Sequence, residues 1–162
     1  MTHESRLTRE LRALLNTQRV AALGTIDETG APFVSFVPFA IEPQLHCLVI
    51  HVSGLAAHTR NLQARPRVSL LVMQSETPGE PVHALPRVTL EGLAKALEPN
   101  SQAWRVCRTA YLARFPEAEP MTQLGDFMFF AVQVTSARHV AGFGTARSID
   151  EEEVRLALGP TR

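Results

Sequence analysis

The stretch 32–41, PFVSFVPFAI, is apolar on both faces of an extended strand: Phe33, Val37, Phe39 and Ile41 share one side with Ser35, while Val34, Phe36 and Ala40 take the other. A second stretch, 126–134 (DFMFFAVQV), has the same two-faced character. In a chain of 162 residues, such strands imply a barrel, with one face turned to the interior and the other against a further layer. The layer expected here is a second copy of the chain. Pro38 has no N–H to give a ladder, so it marks a bulge or an edge where backbone groups become free for a ligand.

The stretch 45–72 reads as strand, helix, strand. Leu45 to Val52 and Val68 to Val72 are short apolar runs rich in β-branched residues; a polar segment, Ser53 to Ala64, and a break at Arg65, Pro66 and Arg67 separate them. Ser53 and Gly54 stand where the helix is expected to begin. Helix starts hold anions, because their first N–H groups lack intrahelical partners and the peptide dipoles add positive potential. His58, Thr59, Arg60 and Asn61 bring further donors within about one turn. A capped surface connector is the plainer meaning of SGLAAHTRNL, and a phosphate site the sharper one.

The remaining segments complete a single domain over 1–162. An amphipathic helix fills 5–17 of the N-terminal segment 1–17, with Leu7, Leu11, Leu14 and Leu15 on one stripe. Arg19 to Thr25 is a strand, joined through the turn Asp27 to Gly30 to the strand at 32–41. A polar, proline-rich loop at 74–86 leads to a half-buried strand at 87–97. Ser101 caps a helix from about Gln102 to Phe115, whose Trp104, Cys107, Tyr111 and Phe115 share a face. After 126–134 come a short extension, 136–140, the glycine-broken AGFGTA at 141–146, and a C-terminal helix at 148–158. The sum is a mainly β, α+β architecture: about six antiparallel strands closed into a small barrel with peripheral helices.

Charge and cysteine content exclude several classes. The 16 basic and 16 acidic residues cancel, so no general pull toward nucleic acid or a membrane surface is expected, and no run is long enough to span a bilayer. Cys47 and Cys107 belong to no C-x-x-C pair, and the histidines have no metal-ligand spacing, so neither a disulfide framework nor a metal site is inferred. Cys47 reads as a small core residue. A reducing, cytoplasmic setting is the expectation. No G-x-S-x-G elbow is present.

The order of these elements resembles the pyridoxamine 5'-phosphate oxidase-like FMN-binding split barrel, and most closely its haem-utilisation branch. Four motifs carry the resemblance: Gly30 to Pro38 (GAPFVSFVP), Ser53 to Leu62 (SGLAAHTRNL), Pro66 to Leu71 (PRVSLL) and Gly142 to Ala146 (GFGTA). The resemblance implies a six-stranded split β-barrel, a homodimer, and FMN held at the dimer interface. Its phosphate would meet Ser53, His58, Thr59, Arg60 and Asn61, and its ring edge would run along Ser35, Val37 and Pro38. Arg87 occupies the position where relatives with oxidase activity carry a glutamine toward the flavin from the partner subunit. Ala56 and Ala57 replace charged residues expected of a true pyridoxamine phosphate oxidase. The activity implied is an oxidoreductase moving electrons between a small-molecule donor, such as a reduced nicotinamide, and a small acceptor. The flavin carries the electrons, so no catalytic side chain is named.

The same branch implies haem as the alternative cofactor, ligated by a histidine. His139, just before the GFG turn, is the best placed by sequence, and a neutral imidazole there suits iron. A flavin-binding module without turnover is the third reading.

Overall fold

The computed structural model describes residues 4–143 and 146–160; His3 and the Gly144 and Thr145 of the GFGTA motif lie outside them. Helix α1 (Arg6–Thr17) opens the fold, its start capped by Ser5, whose hydroxyl accepts from the Thr8 N–H. Strands β1 (Val20–Ile26) and β2 (Pro32–Pro38) form the expected hairpin, in register from Val20 opposite Pro38 to Ile26 opposite Pro32. Asp27 builds the turn, because its carboxylate accepts from the N–H groups of Thr29 and Ala31. Strands β3 (Ala40–Glu42) and β4 (Cys47–Ser53) follow, then α2 (Ala57–Ala64), β5 (Arg67–Met73), β6 (Arg87–Ala96), α3 (Gln102–Arg114), β7 (Phe127–Val140), β8 (Ala146–Ile149) and α4 (Glu151–Leu158).

Among the described residues eight strands, rather than six, pair in one antiparallel sheet of order β2-β1-β5-β6-β7-β4-β3, with β8 alongside β7. The predicted strand at 32–41 divides at Phe39: its N–H is the last to follow the β1 register, donating to the carbonyl of Arg19, and from Ala40 the chain pairs with β4 instead. The other additional strand, β8, falls where a turn and the start of a helix were expected. Asp150 caps α4 through the Glu153 N–H, so that helix begins at Glu151 and not at 148.

The break at Phe39 curls the sheet into a half-barrel. β2 and β3 occupy opposite ends of the sheet path, yet a single residue links them. Consecutive Cα atoms lie about 3.8 Å apart, so the two edges must meet and the sheet must curl on itself. Leu23, Leu48, Ile50, Leu70, Leu90, Phe130 and Val132 fill the main core, which Leu11 and Leu15 of α1 and Leu158 of α4 extend. β6 and β7 shift register at Glu91 and Gly92, where a side-chain Cβ would stand 2.3 Å from the carbonyl oxygen of Gln133. Only glycine tolerates that approach.

The two-faced strands find different partners. On β7, Phe129 and Ala131 turn away from the barrel and pack under α3 with Val49, Cys107 and Tyr111. The second layer over 126–134 is therefore a helix of the same chain and not a second copy. On β2, Val34 and Phe36 are 68% and 66% exposed and have no such cover. Arg114 locks α3 in place: its guanidinium donates to the carbonyls of Phe39, Leu15, Asn16 and Gln18 and lies over the Phe39 ring.

Candidate cofactor site

β4 leaves the barrel at Ser53, and the chain makes a tight turn before α2. The Ser53 carbonyl accepts from the Ala56 N–H at 3.1 Å and from the Thr59 hydroxyl at 2.6 Å, and the Ser53 hydroxyl accepts from the Leu55 N–H at 3.2 Å. That local bonding delays the helix, as serine at a turn commonly does. α2 therefore starts at Ala57, with Ala56 as an N-cap that offers no side-chain bond, and Ser53 is not the cap the sequence suggested. Gly54 approaches Asp126 closely: its N–H donates to the Asp126 carbonyl, and a Cβ there would stand 3.0 Å from the same oxygen.

The predicted phosphate residues divide into two groups. Thr59 is fully buried, with its hydroxyl committed to Ser53; Asn61 is buried, with its amide donating to the Thr25 hydroxyl at 3.0 Å. These two, with Leu62 in the main core, fasten α2 to the barrel. Ser53, His58 and Arg60 remain nearer the surface. The Arg60 guanidinium is exposed, with one nitrogen donating to the Leu55 carbonyl. The Ser53 hydroxyl also donates to the carboxylate of Asp126 at 3.2 Å, which sets a negative charge beside the seat proposed for a phosphate. Like charge at that range opposes a dianion.

His58 joins the two halves of the predicted site. Its Nδ1 lies 3.0 Å from the hydroxyl of Ser35, in the middle of β2, and its Nε2 is shielded from solvent without a hydrogen-bond partner. Burial holds its pKa below the ordinary histidine value, which favours the neutral ring. The Val37 side chain is buried in the core, which leaves only its backbone to offer a ligand, and Pro38 ends the strand opposite Val20. β2 is an edge of the sheet path, which leaves ladder groups free along it.

Arg87 and His139 lie elsewhere. β7 pairs Phe127 with Ser53 at one end and Val140 with Arg87 at the other, so a single chain does not bring Arg87 to the α2 cleft. The Arg87 guanidinium donates to the Leu85 carbonyl at 3.0 Å. His139 is 1% exposed and lines a cavity of about 480 Å³ under α1, with Glu10, Thr17 and Gln74. Burial first, and then the nearby Arg147, hold its pKa below the ordinary value. Its Nδ1 has no hydrogen-bond partner.

Thr25 and Asp126 are the site residues that sequence reasoning missed. Asp126 precedes a two-faced strand, and nothing in its spacing places it next to Ser53; only the β4–β7 pairing does. Cys47 is a buried core residue as expected, packed in the same cluster as Cys107, and both are free. No cluster of metal-ligating side chains occurs among the described residues, and none of their helices is long and apolar enough to cross a membrane.

The family model described as Pyridoxamine 5'-phosphate oxidase matches residues 7–141. Heme oxygenase HutZ of Vibrio cholerae is 30% identical over 152 residues, which cover 93% of this chain and 85% of HutZ. The solved structure of HutZ, described as a heme storage protein, superposes with a TM-score of 0.72 over 80% of this chain and 91% of its own. The chloroplastic heme oxygenase HOZ of Arabidopsis thaliana is 33% identical over 151 residues, 89% of this chain and 44% of HOZ. A heme binding protein from Mycobacterium smegmatis superposes with a TM-score of 0.84 at 28% identity over 96% of this chain, which spans 62% of that protein. The chain thus covers less than two thirds of the last two relatives.

Proposed function

The chain belongs to the pyridoxamine 5'-phosphate oxidase family, in its haem-utilisation branch, and from that premise we propose that it binds haem at the α2 cleft of a homodimer, for haem storage or oxidative breakdown. The observation that carries this reading is the orphaned Nε2 of His58 against β2, where Phe33, 37% exposed, shares the strand face of Ser35, in a chain whose relatives bind haem. Bound haem supplies the iron at which oxygen chemistry runs. Phe33, on the same face of β2 as Ser35, offers exposed apolar surface toward the cleft, and Arg60 offers a cation to a propionate, while Val34 and Phe36 on the opposite face are left for a second copy. The outer face of β2, β1 and β5 continues the apolar surface through Val20, Leu71 and Met73, all more than a third exposed. A second copy seated there would shield it and bring its own Arg87 toward the cleft.

FMN is the second reading. The uncapped start of α2 and the Arg60 guanidinium favour it as an anion seat, and the Asp126 carboxylate opposes it. The two readings separate by titration of the purified chain. Haemin should shift its Soret band and saturate, whereas FMN should leave its fluorescence unquenched. The reverse pattern would return the site to a flavin and the activity to an oxidoreductase fed by a reduced nicotinamide.

A further inference from the structure

His139 lies at the opposite end of β7 from the α2 cleft. It lines the cavity of about 480 Å³ that α1, the start of the 74–86 segment and the end of β7 enclose. It is 1% exposed, its Nδ1 is shielded from solvent without a partner, and no hydrogen bond among the described residues engages its Nε2. A buried polar ring left unpaired is costly. Here a cavity stands beside it, with room for a group that would pair with it.

The other walls select the chemistry. Leu14, Pro86 and Ala141 supply apolar surface, and among the described residues that line the cavity Glu10 carries the only charge. Glu10 stands on α1 with its side chain 40% exposed, close enough to act on the His139 ring. Its present partner, Arg6, is 3.4 Å away in an exposed pair, the kind that a ligand displaces at little cost. The Thr17 hydroxyl donates to the Ala13 carbonyl, which leaves its oxygen only lone pairs to offer. Burial and the nearby Arg147 keep His139 neutral, so one of its nitrogens accepts. Arg147 itself is matched by the Glu153 carboxylate at 2.6 and 2.8 Å and brings no surplus cation. The cavity thus joins an apolar wall to a carboxylate, a hydroxyl oxygen and an imidazole, all able to accept.

We propose that this cavity is a second ligand site, for a small protonated amine on an apolar body, with the ammonium taken up by Glu10 and His139 and the apolar part lying against Leu14, Pro86 and Ala141. An ammonium group brings N–H donors and a positive charge, which are what these walls lack. The site is independent of the haem reading, since none of the α2-cleft residues named above lines it.

The test titrates benzylamine into the full chain beside its near-isosteres benzyl alcohol and benzoate, following the heat of binding and the ring-nitrogen resonances of the histidines. Benzylamine should saturate and bind at least about tenfold more tightly than benzyl alcohol, the worth of one charge-assisted hydrogen bond. It should shift the His139 resonances and leave those of His58 in place. Glu10→Gln alters a half-exposed side chain, so the fold should survive while the advantage of benzylamine is lost. Absence of saturable binding at millimolar benzylamine would leave a cavity that holds water only, and equal binding of the three probes would leave an apolar hollow without selectivity for charge. Undiminished affinity in Glu10→Gln, or His139 resonances that do not move, would place the amine elsewhere. Each of these results overturns the proposal and leaves the haem reading untouched.

Discussion

Nδ1 of His58 lies 3.0 Å from the hydroxyl oxygen of Ser35, and this contact joins residues 23 positions apart into one site. It ties α2 to the edge strand β2, whose opposite face carries the exposed Val34 and Phe36. The partner on Nδ1 fixes which ring nitrogen is left for a ligand.

Removing that contact should act on binding more than on folding. Ser35→Ala should weaken haemin binding at the α2 cleft by roughly 2- to 10-fold, the worth of one hydrogen bond of about 0.5–1.5 kcal/mol. Equilibrium titration followed at the Soret band measures it, alongside an unchanged far-ultraviolet circular dichroism spectrum.

Asn61 and Arg60, adjacent in sequence, should behave oppositely. Asn61 is buried against Thr25, so Asn61→Ala should lower stability by about 1–3 kcal/mol. Arg60 is exposed, so Arg60→Ala should shift stability by less than about 0.5 kcal/mol while weakening the binding of a carboxylate- or phosphate-bearing ligand. Urea denaturation of the two variants separates these outcomes.

Stability should fall as the solution is acidified from pH 6.5 toward 4. His51 packs against Phe129, Phe127 and Tyr111, and burial, with Arg108 adding to it, pushes its pKa from 6.5 down to about 4. Between those values the unfolded chain binds the proton and the folded chain does not, so acid favours unfolding through this group. The lowered values of His58 and His139 act in the same direction. His51→Phe should flatten the dependence of the denaturation midpoint on pH across this window.

The exposed face of β2 tests the assembly. Phe36→Asp removes an apolar side chain that is 66% exposed in the single chain, so folding should survive while self-association is lost. Sedimentation at micromolar concentration should give a dimer for the unaltered chain and a monomer for the variant.

Much of the architecture was legible because it depends on local signals. The hairpin turn at Asp27 to Gly30, the Ser101 cap of α3 and the apolar stripe of α1 follow from turn chemistry, capping and periodicity. The strand count was not, because the division at Phe39 depends on where the chain leaves the β1 register to pair with β4. The covering of 126–134 by α3 was equally hidden: two-faced apolarity says that a second layer exists and leaves its source open. In the site, donors were found by residue type, but type cannot say which are committed inward. Thr59 and Asn61 point to the barrel and Arg60 away from it, although all three lie within one turn of α2. Asp126 comes to Ser53 only through pairing between strands distant in sequence.

The most direct test of the haem assignment is a titration of the purified full chain with haemin, followed in the visible range and repeated with FMN. Haem binding at the α2 cleft predicts a saturable Soret shift with haemin at micromolar concentration and no quenching of FMN fluorescence. No Soret shift, with stoichiometric quenching of FMN, would contradict it.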